Sequence, residues 1–161
     1  MIEISNLRKS FGEKCACDIP QLSIGSGEII GLVGNNGAGK TTLFRLLLDL
    51  LKPDNGEVTL EGINVQQSED LKTFTGAYID NGFLIDFLTP EEYFSFIGKV
   101  SSISQEKVNK RSSNYEQFTG GEVFGRNALI RNLSAGNKQK VGIISALITR
   151  PRLLILDEPF N

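Results

Sequence analysis

Apolar residues come in short runs broken by glycine, proline and charge, and the runs alternate in character along the chain. Residues 2–11 read as a short strand that runs into a turn at Lys9-Ser10-Phe11-Gly12, and a second extended segment leads to Ser26-Gly27-Glu28. Ile29-Ile30-Gly31-Leu32-Val33 is a nearly continuous apolar run, short and bounded by glycines. That pattern predicts a strand buried on both faces of a parallel sheet. Leu43 to Leu51 is apolar nearly all round and predicts a buried helix, stopped at Pro53-Asp54-Asn55-Gly56. Glu57 to Leu60 and Ile63 to Val65, joined by Glu61-Gly62, predict a hairpin.

Further along, residues 68–75 read as a short helix and Ala77-Tyr78-Ile79 as a strand. From Phe83 to about Asn132 the chain is richer in Ser, Lys, Asn and Gln, with an aromatic-rich helix around Glu91–Gly98. This stretch is expected to be a mostly helical insertion. A long helix then runs from Gly136 to Thr149, ended by Arg150-Pro151, and Leu153-Leu154-Ile155-Leu156 predicts another buried strand. Alternating strands and helices without an internal repeat make this an α/β chain.

Composition narrows the picture only modestly. The 161 residues are 40% hydrophobic and 22% charged, with a net charge of −2 and no histidine. That balance speaks against a nucleic-acid partner, which selects a basic face. Cys15 and Cys17 are one residue apart, where a bridge would be strained, and no second pair completes a metal site; free thiols in a reducing cytosol are expected. The start of the chain lacks a signal-peptide pattern, and no run approaches the ~18 apolar residues of a membrane span. A soluble chain that can dock on a membrane partner is expected.

Three segments carry chemistry. Gly34-Asn35-Asn36-Gly37-Ala38-Gly39-Lys40-Thr41 fits G-x-x-x-x-G-K-[ST]. Glycines let successive N–H groups point inward around phosphate oxygens, and the helix that follows offers its positive end to the same anion. Lys40 would neutralise the β/γ-phosphates and Thr41 would give its hydroxyl to Mg²⁺. The ATP-binding set on this reading is Gly34, Asn35, Asn36, Gly37, Ala38, Gly39, Lys40, Thr41 and Thr42. The second segment, Leu153 to Glu158, ends an apolar strand in two acids at the sheet edge where α/β ligands bind. Asp157 is the candidate for Mg²⁺, and Glu158 is the candidate catalytic residue that polarises the attacking water. The third, Leu133-Ser134-Ala135-Gly136-Asn137, opens a helix and by composition is equally a helix cap or an anion site.

Together these motifs resemble the ABC-type ATPases. Leu133, Ser134 and Gly136 keep the LSGGQ-type signature, while Ala135 and Asn137 replace its first glycine and its glutamine. The order also matches: phosphate loop, helical insertion, signature, then a Walker B strand whose Asp157 stands 23 residues beyond Ser134. The resemblance covers the whole chain. It implies a P-loop NTPase fold, with a mostly parallel core sheet, an N-terminal antiparallel β part and a helical insertion. Residues 1–82 would form the β part and phosphate-loop core, 83–133 the insertion, and 134–161 the signature helix and Walker B strand of one domain. It places an adenine-stacking aromatic at Phe11 and a signature acting on a partner's nucleotide at Ser134, Ala135, Gly136 and Asn137. The family's Q-loop glutamine falls at Asp80, whose carboxylate would join Thr41 and Asp157 at Mg²⁺. An acid there is similar to antibiotic and peptide-resistance exporters and points to export.

The chain stops at Asn161, short of the family's D-loop and switch histidine, so the C-terminal part of the domain is expected to be missing. Turnover by these 161 residues alone is expected to be low. The resemblance implies an ATP- and Mg²⁺-dependent ATPase subunit that closes as a homo- or heterodimer. It would drive a membrane permease from the cytoplasmic face of the cell membrane. The alternatives are a soluble ABC ATPase not linked to transport and a nucleotide-binding module without turnover. The pair Tyr93-Phe94, with Ser95-Phe96, is expected to be helix packing rather than a permease surface, and Lys107, Lys110 and Arg111 a solvated face.

Overall fold

The computed structural model describes residues 2–79 and 83–159, and the chain divides into two compact units, Met1–Lys72 and Thr73–Asn161. In the first, β1 (Ile2–Phe11), β2 (Lys14–Ile24), β3 (Asn55–Leu60) and β4 (Ile63–Asn64) form an antiparallel sheet in the order β2-β1-β3-β4. Ile2 and Ile4 alternate into the core, where Ile4 pairs with Val58. Asn6 then takes a left-handed φ of 50°, so that Leu7, not Asn6, turns inward and is fully buried. Gly56 answers this kink: at φ 77°, a Cβ there would lie 2.2 Å from the Asn6 carbonyl oxygen. Helix α1 (Lys40–Leu47) buries Leu43, Leu46 and Leu47.

β2 carries one extra residue against β1. Lys9 pairs with Cys17 and Ser10 with Cys15, which leaves Ala16 as a bulge.

The expectation of a buried strand over Ile29–Val33 is not met. Residues 28–35 form no ladder with any described strand, Ile29 is fully exposed and Val33 nearly so. The physical reason is that an apolar run supplies the side chains of a central strand but not its hydrogen bonds, which come from neighbouring strands. No described strand provides them.

The chain passes from the first unit to the second within α2 (Leu71–Phe74), which leads into β5 (Thr75–Tyr78), and β5 pairs in parallel with β6 (Leu153–Leu156). Among the described residues, the α-helices after β5 are α3 (Pro90–Val100), α4 (Gln105–Ser113), α5 (Glu116–Thr119) and α6 (Ala135–Ile148). A capping box starts α3: the Thr89 hydroxyl accepts from the Glu92 N–H, while the Glu92 carboxylate accepts from the Thr89 N–H at 2.8 Å. That bond to the Thr89 backbone holds the Glu92 carboxyl below its usual range. Tyr93, Phe94, Val108, Val123, Ile130, Val141, Ile144 and Ile148 make one core.

α6 is buried almost all round because it serves two partners. Val141, Ile144 and Ile148 face the helices, while Ile143 and Ala146 meet Tyr78 of β5. Closeness is set by glycine: a Cβ on Gly142 would lie 2.3 Å from the Tyr78 ring, and one on Gly76 would lie 2.2 Å from the Ala146 carbonyl oxygen. Of the four residues Tyr93 to Phe96, Tyr93 and Phe94 are packed as expected, whereas Phe96 is exposed. Arg111 departs from the expected solvated face. Its guanidinium donates to the Ile148 carbonyl at 2.7 Å and so satisfies an oxygen at the end of α6.

Candidate functional site

In the first unit the segment Gly34–Gly39 loops from the unpaired stretch into α1. The Ala38 N–H donates to the Asn35 carbonyl at 3.1 Å, closing the turn. Gly37 and Gly39 take φ of 83° and 94°, conformations that L-residues with side chains avoid. Gly39 is also the N-cap of α1, and a Cβ there would stand 2.0 Å from the Ala16 carbonyl oxygen. The bulged residue of β2 therefore sits directly against the phosphate loop, and only glycine fits between them. No acid occupies the first turn of α1, so the positive end of the helix is not offset there.

Lys40 turns back over this loop, its ammonium donating to the carbonyl oxygens of Gly34 at 2.8 Å and Asn35 at 3.2 Å. Thr41 and Thr42 follow on the first turn, half-buried. Beside them lies a cavity of about 300 Å³ lined by Cys15, Cys17, Asp18, Gly39, Lys40 and Leu43, among others. Both thiols are free; burial pushes that of Cys17 up, and Cys15 is exposed. Phe11 ends β1, 53% exposed as a residue, and pairs across the hairpin with Lys14. Lys14 reaches the other way: its Nζ would lie 3.9 Å from a Cβ on Gly37. Sequence reasoning missed Lys14, because nothing in a turn lysine's own neighbourhood says that its stem spans from the hairpin to the loop.

The second unit holds the remaining candidates. Ser134 is the N-cap of α6, its hydroxyl accepting from the Asn137 N–H at 3.2 Å. The Asn137 side chain donates to the Glu122 carboxylate at 3.1 Å. Ser134, Ala135 and Gly136 are exposed, and a Cβ on Gly136 would meet nothing within 4 Å. The chain's own packing does not require glycine there. At the end of β6, Asp157 is buried, and its N–H donates to the Tyr78 carbonyl at 2.8 Å, continuing the parallel ladder by one residue. Glu158 is exposed and sits at a left-handed φ of 46°, an uncommon conformation for a residue with a side chain, of the sort found at functional sites.

Gln139 was not singled out by the sequence, yet its amide donates to the Glu158 carbonyl at 2.9 Å. It ties the signature helix to the second acid. Its signal was present only as a polar residue one turn into α6. Asp80, expected at Mg²⁺, lies outside the described residues.

Residues 17–161 match the family model described as ABC transporter. The chain belongs to the ABC transporter family. Its relatives include a probable sulfate/thiosulfate import ATP-binding protein of Chlorella vulgaris, 36% identical over 99% of this chain and 67% of the relative. A spermidine/putrescine import ATP-binding protein of Pseudomonas aeruginosa is 32% identical over all of this chain and 44% of its own length. A bacitracin transport ATP-binding protein of Enterococcus faecalis is 34% identical, again over the whole chain and 51% of the relative. This chain therefore spans from about two-fifths to two-thirds of these relatives.

Among solved structures, a dimeric bacterial ABC transporter cassette, MJ0796, superposes with a TM-score of 0.85 at 28% identity, over 99% of this chain and 74% of that one. The same cassette in a post-hydrolysis dimer bound to ADP and Pi also gives a TM-score of 0.85, at 26% identity, over 99% and 75%. The P-loop NTPase fold expected from the motifs is thus the fold of this ABC chain, with its antiparallel N-terminal sheet and a parallel pair beyond it.

Proposed function

We propose that this ABC chain binds MgATP and works as the ATPase subunit of a transporter. The observation that carries the proposal is the cradle at Gly37, Gly39 and Lys40. Backbone in left-handed conformations, a helix start without acids and an ammonium held by neutral carbonyls together form an anion site. A triphosphate offers Lys40 acceptors of opposite charge, which add Coulomb attraction to the hydrogen bond. Mg²⁺, when bound, would neutralise charge on the transferred phosphate. The Thr41 hydroxyl is an oxygen donor of the kind that it takes. Glu158 would take a proton from the attacking water. The likeness to the ADP- and Pi-bound cassette supports hydrolysis.

Lys40→Ala is the direct test. Losing a charge-assisted contact of this kind costs about 1.5–3 kcal/mol, or roughly 10- to 150-fold in affinity. Calorimetric titration with MgATP should show that loss. An unchanged affinity would remove Lys40 from phosphate binding.

The same reading assigns Ser134, Ala135, Gly136 and Asn137 to the nucleotide of a second cassette, homo- or heterodimeric, as the dimeric structural neighbour supports. Gly136 gives an unusual test because its own unit leaves it open space. Gly136→Ala should leave folding intact, since the added Cβ meets nothing within 4 Å. It should nevertheless weaken ATP-driven association by roughly 5- to 150-fold, since an added methyl in a close-packed contact costs about 1–3 kcal/mol. Sedimentation with and without ATP reads the second effect. Equal association in both proteins would place the signature elsewhere.

The names of the relatives, import ATP-binding proteins, support a role in transport; on this reading the subunit couples to a membrane permease at the cytoplasmic face of the membrane. No described helix is long and apolar enough to cross a membrane. The acid at Asp80 favours export as the direction of transport.

A further inference from the structure

Phe11 does not stand alone at the end of β1. The Lys9 ammonium lies 5.7 Å from the centroid of its ring, within reach of a cation–π contact. Lys9 and Phe11 are two residues apart on one strand, so their side chains leave the same face. The Lys9 side chain is only 16% exposed, and its Nζ is fixed at 2.7 Å from an Asp54 carboxylate oxygen. The other Asp54 oxygen accepts from the Ser10 N–H at 2.7 Å, and the Asp54 N–H donates to the Arg8 carbonyl at 2.8 Å. One residue, immediately before β3, thus grips the three positions that precede Phe11. The grip coincides with the bulge at Ala16, where β1 and β2 lose regular register and the ladder holds the strand end less firmly.

We propose that Lys9 and Asp54 are positioning residues for a base-stacking platform at Phe11, the ammonium covering part of the ring and leaving the exposed remainder to a purine. The inference rests on the reading of this site as a nucleotide site and adds how the ring is held. Stacking on a free side chain costs the rotational freedom of the ring; a ring already held gives up less. Asp54 neutralises the Lys9 charge, so the pair supplies geometry without adding a net cation beside the base. The Asp54 carboxyl is held below the usual carboxylate range, first by its hydrogen bond with Lys9 and then by the Ser10 N–H.

The experiment titrates the full chain with MgATP and, separately, with magnesium tripolyphosphate, which has the phosphates but no base. Phe11→Ala should weaken ATP binding and leave tripolyphosphate binding unchanged. Lys9→Met and Asp54→Ala should each weaken ATP binding about two- to fivefold, the worth of an exposed cation–π contact, again with tripolyphosphate unaffected. Lys9→Arg, which keeps both the charge and the ring contact, should restore ATP affinity. If ATP and tripolyphosphate fall together in Lys9→Met, the residue acts through charge or folding and the proposal is overturned. If Phe11→Ala discriminates between the two ligands but Lys9→Met and Asp54→Ala do not change ATP affinity, the platform stands and the positioning role fails. Should Phe11→Ala not discriminate, the base is elsewhere and both ideas fall. Asp54→Asn, which retains an acceptor for the Ser10 N–H, replaces Asp54→Ala if the latter does not fold.

Discussion

Glu158→Gln is expected to slow ATP hydrolysis by about 10²–10⁴ while leaving ATP binding in place, the usual worth of a positioned general base. The amide matches the carboxylate in shape but cannot take a proton from water. Its backbone should keep the left-handed turn at φ 46°, because the hydrogen bond from Gln139 is made to the carbonyl oxygen and not to the side chain. Phosphate release should be followed in a chain continued past Asn161 with the corresponding segment of a relative. Slowed turnover should leave an ATP-bound dimer, since a ligand stabilises the state that it favours. Turnover at the unsubstituted rate would take Glu158 out of the mechanism.

Phe94→Ala should destabilise the second unit by about 3–5 kcal/mol, the range for emptying an aromatic site in a core. Phe94 is 1% exposed, its ring centroid 6.4 Å from that of Tyr93 and 5.9 Å from that of Phe124. Phe96, two residues along the same helix and 44% exposed, is the internal control, and Phe96→Ala should change stability by roughly 0.5 kcal/mol or less. Denaturant unfolding of both variants measures the contrast. Equal losses would mean that the two rings share one environment, contrary to the packing described.

The sequence carried the phosphate loop, the signature helix and the strand before Asp157 because each is a local pattern. Glycines at fixed offsets, a serine before a helix and four apolar residues before an acid need no distant partner to be recognised. What it did not carry are contacts between residues far apart in the chain. Asp54 meets Lys9 across 45 positions, Arg111 meets Ile148 across 37, and Gln139 meets Glu158 across 19. Each polar residue looks like any surface residue until the fold brings its partner. Helix α1 ends at Leu47, earlier than the apolar run that reaches Leu51, because Asp49 turns left-handed at φ 53°. The segment Ile29–Val33 failed for the opposite reason: its composition is that of a core strand, but composition cannot supply a ladder.

That unpaired segment has a thermodynamic consequence. Residues 29–33 lead toward the phosphate loop with neither ladder bonds nor burial to fix them, and only at Gly34 and Asn35 do Lys40 and Ala38 take hold of the backbone. Fixing a residue's backbone costs about 1–2 kcal/mol, and here little in the chain itself offsets that cost. Whatever occupies the cradle must therefore order its own approach, and part of its intrinsic affinity is spent on that ordering. Ligand binding and local folding become one equilibrium. The nucleotide acts on this stretch as a folding partner, and the protection of its amides against hydrogen exchange becomes a measure of site occupancy.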